Sequence, residues 1–524
     1  MQDNKNNLEN SDFINITSYF LDHNSLVDRG KSTAIYYQNQ KISFADTGIL
    51  ANKVGNIFKQ FGVGFEDRIY VVLPDSPEFV ACFYGSMKIG AIFTSAYTFF
   101  SANDYEYEIN YVRPKVIITD SSCIDRIRQA VAGAKYAPLI LTVGVKSLDL
   151  RNKEYDLAEQ VSKADEKLIA ELTRKDDIAM WKFSGGTTGH RKAIPHRHYD
   201  TVWHYEQYNK LVQYTAKDKI LAVPKMFFGY GRDGTIVYPF RTGASAILSP
   251  ERTTVEKVFE LIDEHKPSIL IQVPTMIRSM IQSDKSKRPG LSSIRLCISS
   301  AEALSYELAK EWEDQFSCPI INQIGSAEMY YAYIATEPGK LIPGSVGKVV
   351  PGFEVKIVDE NNNEVPDGNS GVLMVKGECA ALQYRFDTAK TRRTFRGEWV
   401  YTYDLFKKDK EGNYYYLGRT DDIVKVSGYF VSPLEIEECI QKNPDVSECA
   451  VIAVKDEDDL EKTKAYIVLK KGIDGTDAMK SKITQYCKDN LSPYKFPRYI
   501  EFIKELPKTG LGKVDRLKLK KTGA

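Results

Sequence analysis

The sequence predicts an α/β protein with a large N-terminal body of layered α/β subdomains, a β-rich subdomain and a small C-terminal α/β unit. Three observations lead there. Short runs rich in Val and Ile alternate with helical patterns for most of the chain, which favours layers built on largely parallel strands. Around residues 351–377 the pattern changes to closely spaced short strands joined by the turn-rich stretch 359–370. From about residue 421, after the polar stretch 418–422, an α/β pattern starts again.

Taken in order, residues 68–73, 115–119, 139–143, 268–273 and 294–299 read as buried strands, each an apolar run of strand length. Residues 76–89 and 255–265 read as helices between them. The β-rich part holds strands at 354–358 and 371–376. The C-terminal unit holds a helix near 433–442, paired strands at 449–454 and 464–470, and a helix near 478–490. A chain of 524 residues has room for several cores. The expected division is 1–420 and 421–524. No internal repeat or low-complexity tract stands out.

Composition excludes several functions. The 71 basic residues nearly cancel 70 acidic ones, leaving +1, so no nucleic-acid surface is expected. Residues 1–12 are polar and lack the apolar core of a secretory signal. The longest apolar runs, such as 69–74, are too short to span a bilayer, so no membrane partner is expected. Eight scattered cysteines without a CxxC pair read as reduced thiols, which points to a soluble cytoplasmic protein.

The first motif is Trp-Lys-Phe-Ser-Gly-Gly-Thr-Thr-Gly-His-Arg-Lys at 181–192. A strand runs into Ser184, Gly185, Gly186, Thr187, Thr188 and Gly189, with Lys192 following. Glycines let the backbone wrap a polyphosphate and aim N–H groups at it. The hydroxyls add donors and Lys192 adds charge. A Gly/Thr stretch is usually a surface loop, but this length and position favour phosphate. It is not a Walker loop, which needs Gly-Lys-Ser/Thr in succession. His190, His196, His198 and His204 raise the question of a metal site, yet no Cys and no His-Glu-x-x-His accompanies them, and none is expected.

The loop resembles the signature of the adenylate-forming superfamily of acyl-CoA synthetases, adenylation domains and luciferases, usually Thr-Ser-Gly-Thr-Thr-Gly-x-Pro-Lys. Gly185 stands for Ser and Arg191 for Pro; the first adds freedom, the second charge. Further stretches follow in the superfamily's order. Ser300, Ala301, Glu302 and Ala303 resemble one wall of its adenine site. Residues 322–328 resemble Asn-x-Tyr-Gly-x-Thr-Glu, through Asn322, Ile324, Gly325, Ser326, Ala327 and Glu328. That resemblance implies Asn322 at the adenine edge and Glu328 as a Mg²⁺ ligand, a hard cation suited to carboxylate oxygen. Ile324 replaces an aromatic and Ala327 a Thr. Thr402-Tyr403-Asp404 resembles Thr-Gly-Asp, implying that Asp404 accepts both ribose hydroxyls. Residues 418–422 resemble the Gly-Arg-x-Asp-Asp hinge, implying Arg419 on ribose and phosphate and Asp421 as pivot. Residues 507–513 resemble Pro-Lys-Thr-x-x-Gly-Lys, implying that Lys513 is catalytic; the competing reading is a mobile basic tail.

From about Ile14 to Leu519 the chain resembles the benzoate–CoA ligase branch, through residues 18–22, 225–231, 325–329, 425–428 and 493–498. The resemblance implies an acyl pocket of Phe228, Gly229, Tyr230, Gly325, Tyr331, Ala332 and Lys425, and a CoA tunnel along Ser427, Gly428 and Tyr429. Phe227 reads as core. Benzoate-specific members tend to carry His and Ile where this chain has Tyr331 and Ala332. The expected acid is therefore of hydroxybenzoate or cinnamate type rather than plain benzoate. The cofactors implied are ATP, Mg²⁺ and CoA, with a mobile C-terminal domain in an adenylate-forming enzyme fold, as monomer or homodimer. Alternatives are a ligase loading an acyl-carrier protein, a medium-chain acyl-CoA synthetase, and an inactive homologue sensing acyl-AMP or CoA. Lys513, Asp404 and Glu328 weigh against the last.

Overall fold

A computed structural model describes residues 12–184, 191–284, 290–420, 424–426, 429–456, 461–491, 495–508 and 514–522. Two large sheets form the body. The seven-stranded sheet runs in the order Glu154–Asp156, Leu139–Val143, Val116–Asp120, Arg68–Val72, Ile92–Ser95, Ile178–Ser184, Lys192–Arg197. Its first six strands are parallel and the last turns back antiparallel to its neighbour. Parallel strands covered on both faces read as unbroken apolar runs, which is why those at 68–73, 115–119 and 139–143 stood out in the sequence.

The nine-stranded sheet has Ile320–Gly325, Leu296–Ser299, Ile269–Gln272, Lys219–Ala222, Ser245–Leu248 and Thr33–Tyr37 as parallel neighbours in that order. Antiparallel strands flank them, Ala332–Ala335 and Lys348–Val349 at one edge and Gln40–Ser43 at the other. The strand expected at 294–299 starts later, at Leu296, because Ile294 N donates to Leu291 O in a turn, 2.9 Å. The helix expected at 76–89 is Pro77–Lys88. Ser76 caps it, accepting from Phe79 N at 3.2 Å, and Pro77 at the first turn gives up no bond. That helix is buried nearly all round, and Phe83 packs edge-on to Phe93 of the first sheet while Tyr84 stacks on Phe240 near the second. One continuous core therefore joins both sheets.

The β-rich part pairs Glu354–Val358 with Ser370–Lys376, and the latter with Trp399–Lys408. Tyr414–Arg419 adds to Trp399–Lys408 and ends the subdomain. Beyond it, Val446–Lys455, Glu461–Leu469 and Tyr499–Phe502 form a small sheet. Helices Pro433–Gln441 and Asp477–Asn490 share a core with that sheet. No helix among the described residues is long and apolar enough to cross a membrane.

Candidate nucleotide and acyl site

The phosphate-loop motif joins two antiparallel strands, Ile178–Ser184 and Lys192–Arg197, with Ser184 opposite Lys192. Gly185, Gly186, Thr187, Thr188 and Gly189 lie outside the described residues. Ser184 Oγ is buried without a hydrogen-bond partner, and Lys192 Nζ is ion-paired with Asp387. Arg191 differs from its sequence reading. Its guanidinium donates twice to Glu108, 2.6 Å each, and lies over Tyr97, Phe100 and Phe183. Burial opposes that charge, and Glu108 more than offsets it. Arg191 and Glu108 neutralise each other, so Arg191 anchors the hairpin rather than adding charge for phosphate.

Strand Ile320–Gly325 carries the next group. Ser300, Ala301, Glu302, Asn322, Ile324, Gly325, Ser326, Asp404 and Arg419 all line one cavity of about 520 Å³. Glu438 and Lys442 of helix Pro433–Gln441 and its cap reach the same cavity. Burial pushes the Glu438 carboxyl up to about 6. Ser300 Oγ donates to Gln323 O at 3.0 Å, and Glu302 accepts from Thr275 Oγ1 at 2.8 Å. Arg419 Nη1 donates to Asp404 Oδ1 at 3.1 Å and to Thr402 O at 2.9 Å. Burial pushes the Asp404 carboxyl up to about 6, with Arg419 opposing. Tyr403 has φ +62° and Ala301 φ +76°, the left-handed region where a Cβ is costly. Tyr403 occupies the position that is Gly in the superfamily motif, and its φ gives the reason for that Gly.

After Gly325 the chain makes a turn over residues 326–331. A Cβ on Gly325 would lie 1.9 Å from Tyr331 O, so only glycine permits this return. Every carbonyl from 327 to 331 is engaged. Ala327 O meets His196 Nε2 at 2.7 Å, and Glu328 O accepts from Ala381 N at 2.8 Å. Met329 O accepts from Tyr331 N at 2.8 Å, Tyr330 O from Lys182 Nζ at 2.6 Å, and Tyr331 O from Ser326 N at 3.1 Å. Lys182 and His196 belong to the two strands that flank the phosphate-loop motif, so that hairpin and the Glu328 turn are tied together. Ser326 Oγ accepts from Met329 N at 3.3 Å, inside the turn. Ala327 packs with Ile194, Ala381 and Tyr384, where its methyl fits an apolar cluster.

The Glu328 carboxylate accepts from Tyr384 Oη at 2.6 Å. Lys390, over the Tyr384 ring at 4.3 Å, is lowered by burial and raised by Glu328. Sequence reasoning missed Tyr384 and Lys390, because neither belongs to a recognisable string, and it weighed His196 only as a metal ligand. His190 lies outside the described residues, and the other three histidines of that stretch have separate partners. His196 Nδ1 meets Asp200 at 2.9 Å, His198 Nδ1 accepts from Ile16 N at 3.2 Å, and His204 Nε2 donates to Ala332 O at 2.8 Å. Burial pushes His198 and His204 down to about 3.

Of the residues expected to form the acyl pocket, Tyr230 and Tyr331 meet beside this turn. Helix Gly229–Arg232 continues into a π-helical turn, Asp233–Val237, a widened geometry often found at functional sites. Phe228 packs on Tyr97 with ring centroids 4.6 Å apart. Tyr230 Oη donates to Ile298 O at 2.9 Å. Tyr331 Oη donates to Tyr230 O at 3.3 Å, and its ring meets Tyr208, Tyr238 and His204 edge-on. Its phenol therefore already has a partner. Phe227 is buried in the core. Under Gly229 lies a charged group that sequence reasoning also missed. Lys182 and Arg232 both pair with Asp233, and the three are 6%, 1% and 0% exposed. Burial pushes Lys182 down to about 8 despite Asp233. The same burial opposes ionisation of Asp233, but Arg232 and Lys182 outweigh it and hold that carboxyl below its ordinary value.

Asp421, Ser427, Gly428 and Lys513 lie outside the described residues. Lys425 and Tyr429 sit on the paired strands Val424–Val426 and Tyr429–Val431.

Comparison with known proteins places this geometry. The AMP-binding enzyme family matches residues 23–385, and the AMP-binding enzyme C-terminal domain matches residues 435–513. A 4-hydroxybenzoate–CoA/benzoate–CoA ligase of Rhodopseudomonas palustris is 33% identical over 96% of this chain and 93% of its own. The anthranilate CoA ligase AuaEII, solved with anthranoyl-AMP, superposes with TM-score 0.91 at 33% identity over 98% of each chain. A benzoate CoA ligase from Burkholderia xenovorans LB400 gives 0.89 at 31%, over 97% of this chain and 99% of that one. The chain belongs to the AMP-binding enzyme family, in the benzoate–CoA ligase branch of the adenylate-forming acid–CoA ligases.

Proposed function

We propose that this chain activates an aryl carboxylic acid with ATP and passes the acyl group to CoA. The supporting observation is one cavity that collects the adenine-wall residues, Asn322, Asp404 and Arg419, next to a Glu328 turn tied to both strands of the phosphate hairpin. The similarity to ligases named for benzoate, 4-hydroxybenzoate and anthranilate supports an aryl acid. Benzoate, hydroxybenzoate and cinnamate types are the candidates.

In the first step the acid's carboxylate oxygen attacks the α-phosphorus of ATP, forming the acyl-AMP bond as the bond to pyrophosphate breaks. In the second, the CoA thiol attacks the acyl carbon, AMP leaves with the bonding pair, and the thiol proton passes to solvent. Asp404 orients the ribose by accepting from its hydroxyls. Backbone N–H groups of residues 185–189 and Lys192 would draw the β- and γ-phosphates. Glu328 is the carboxylate that would hold Mg²⁺. A single carboxylate suits this ion, which takes most of its ligands from phosphates and water. Among the described residues no cluster of three ligating side chains competes for it. When bound, Mg²⁺ offsets the phosphate charge. Lys513 would orient carboxylate and phosphate and offset the charge that develops between them. Division of the chain at 420/421, with rotation at Asp421, would then withdraw Lys513 and present residues 427–429 to pantetheine. All eight cysteines are free and buried, which fits work in a reducing cytoplasm.

Pyrophosphate release with benzoate, hydroxybenzoates, cinnamates and medium-chain fatty acids tests the reading. Turnover with one or more aryl acids in the presence of CoA is expected. A clear preference for a linear fatty acid, or release with no acid at all, rules the aryl reading out.

A further inference from the structure

We propose that Lys182 is a specificity residue of the acyl pocket, and that the preferred acid carries a second hydrogen-bond acceptor, a ring hydroxyl or a second carboxylate, that meets the Lys182 ammonium across Gly229. The inference rests on the aryl-acid reading and names the substrate class within it.

The first argument is charge. Lys182 and Arg232 share one carboxylate, Asp233, and all three are buried. Among the described residues both cations form their ion pair with the single Asp233 carboxylate, so the three formal charges leave one positive charge away from water. Isolated charge in a low-dielectric interior is costly, and an arriving acceptor or anion relieves that cost. The second argument is position. A Cβ on Gly229 would lie 3.4 Å from both Cε and Nζ of Lys182. Glycine therefore puts no side chain between the end of Lys182 and the residue the branch uses for its acyl pocket, while Nζ itself is held by Asp233, Tyr330 O and the Tyr330 ring, whose centroid is 3.4 Å away. Tyr331 and Tyr230, polar residues of the same expected wall, have their hydroxyls committed to backbone carbonyls, Tyr331 to Tyr230 O and Tyr230 to Gln272 O and Ile298 O. The third argument is economy of structure. Lys182 also donates to Tyr330 O, whose residue is held at φ +69°. Holding a carbonyl requires only a neutral donor, and an ammonium in the middle of a buried strand between Trp181 and Phe183 exceeds that need.

The experiment compares kcat/KM for benzoate, the three hydroxybenzoates, benzene dicarboxylates and aminobenzoates in the wild type, K182M and G229A. K182M keeps the length and removes the charge. G229A removes no bond and covers the ammonium, so it carries the test if K182M fails to fold. A charged hydrogen bond is worth about 10- to 100-fold. The wild type should favour an acceptor-bearing acid over benzoate by that margin, and both variants should erase the preference through a higher KM for the substituted acid. Which of hydroxyl or carboxylate is preferred identifies the acceptor. Ratios that stay within about twofold of wild type, or a wild-type preference for unsubstituted or amino-bearing rings, overturn the inference. A wild type that uses no aryl acid would instead overturn the functional reading beneath it.

Discussion

The two sides of the proposed site are built of different materials. The proposed nucleotide side leans on backbone shape: two paired strands, a strand end closed by Gly325, and two residues, Ala301 and Tyr403, in left-handed conformations. The acyl side is built from large buried side chains, with a ring cluster around Tyr331 and charges paired around Asp233. Adenosine and phosphate do not vary between reactions of this type, so a backbone cradle can be fixed. The acid does vary, and side chains are what can change without altering the path of the chain. A residue on the acyl side should therefore carry its effect through burial and charge, and one on the nucleotide side through geometry and ionisation.

The sharpest test of the acyl side is D233A. It leaves two cations without their buried carboxylate, which typically costs about 3–5 kcal/mol. Denaturant unfolding monitored by fluorescence should show that loss. A change below about 1 kcal/mol would mean the three charges are not mutually dependent.

On the nucleotide side the largest effect belongs to K513A. Removing a preorganised charge that acts in the transition state costs roughly 10²–10³ in rate, or about 2.7–4 kcal/mol. The loss should fall on adenylation, read by pyrophosphate release, and spare thiolysis of supplied acyl-AMP. Equal losses in both half-reactions contradict a lysine that serves only the first.

The same contrast explains what was legible in the sequence. The parallel strands near 68–73, 115–119, 139–143, 268–273 and 294–299 were, because they read as unbroken apolar runs; others, such as Ile92–Ser95 and Ser245–Leu248, are four residues long and were not picked out. The pairing of Thr33–Tyr37 with Ser245–Leu248 was not, since nothing local marks a partner so distant in the chain. In the site, the strings that shape backbone are contiguous, so residues 184–192, 322–328 and 402–404 could be picked out. The Lys182–Asp233–Arg232 group comes from two separate elements, and its only local trace was a lysine amid apolar neighbours at 179–183. Arg191 shows the opposite hazard. Its charge was visible, but the Glu108 that neutralises it lies on a helix far back in the chain, Ala102–Val112.

A smaller effect follows from the ionisation of Asp404. Its carboxyl sits at about 6, above the ordinary 3.8, because burial outweighs Arg419. Between those values the folded chain keeps a proton that the unfolded chain has lost. This group's contribution to stability therefore falls as pH rises from about 4 to 6, and stays lowered above. Ribose binding needs the ionised form, so affinity runs the other way. AMP binding by calorimetry should weaken about tenfold per pH unit once pH drops below 6. D404N should abolish that dependence while melting higher than wild type at pH 8. An affinity flat from pH 7.5 to 5 would remove Asp404 from the ribose.

The smallest effect concerns Ala301. At φ +76° an alanine is strained where a glycine is not, so A301G should stabilise the fold by about 1 kcal/mol. The residue is exposed and its methyl packs on no core, so little is lost with the side chain. If the strain holds this wall in its binding shape, the stabilised variant should bind AMP more weakly, since a freer backbone must be ordered when the nucleotide arrives. Melting temperature and AMP affinity measured on the same preparation separate the cases. Opposite changes mean that the wall is held ready at a cost to the fold. A gain in stability with tighter binding would mean that Ala301 is merely tolerated, and that the cradle's shape is set by Gly325 and the turn tied to Lys182 and His196.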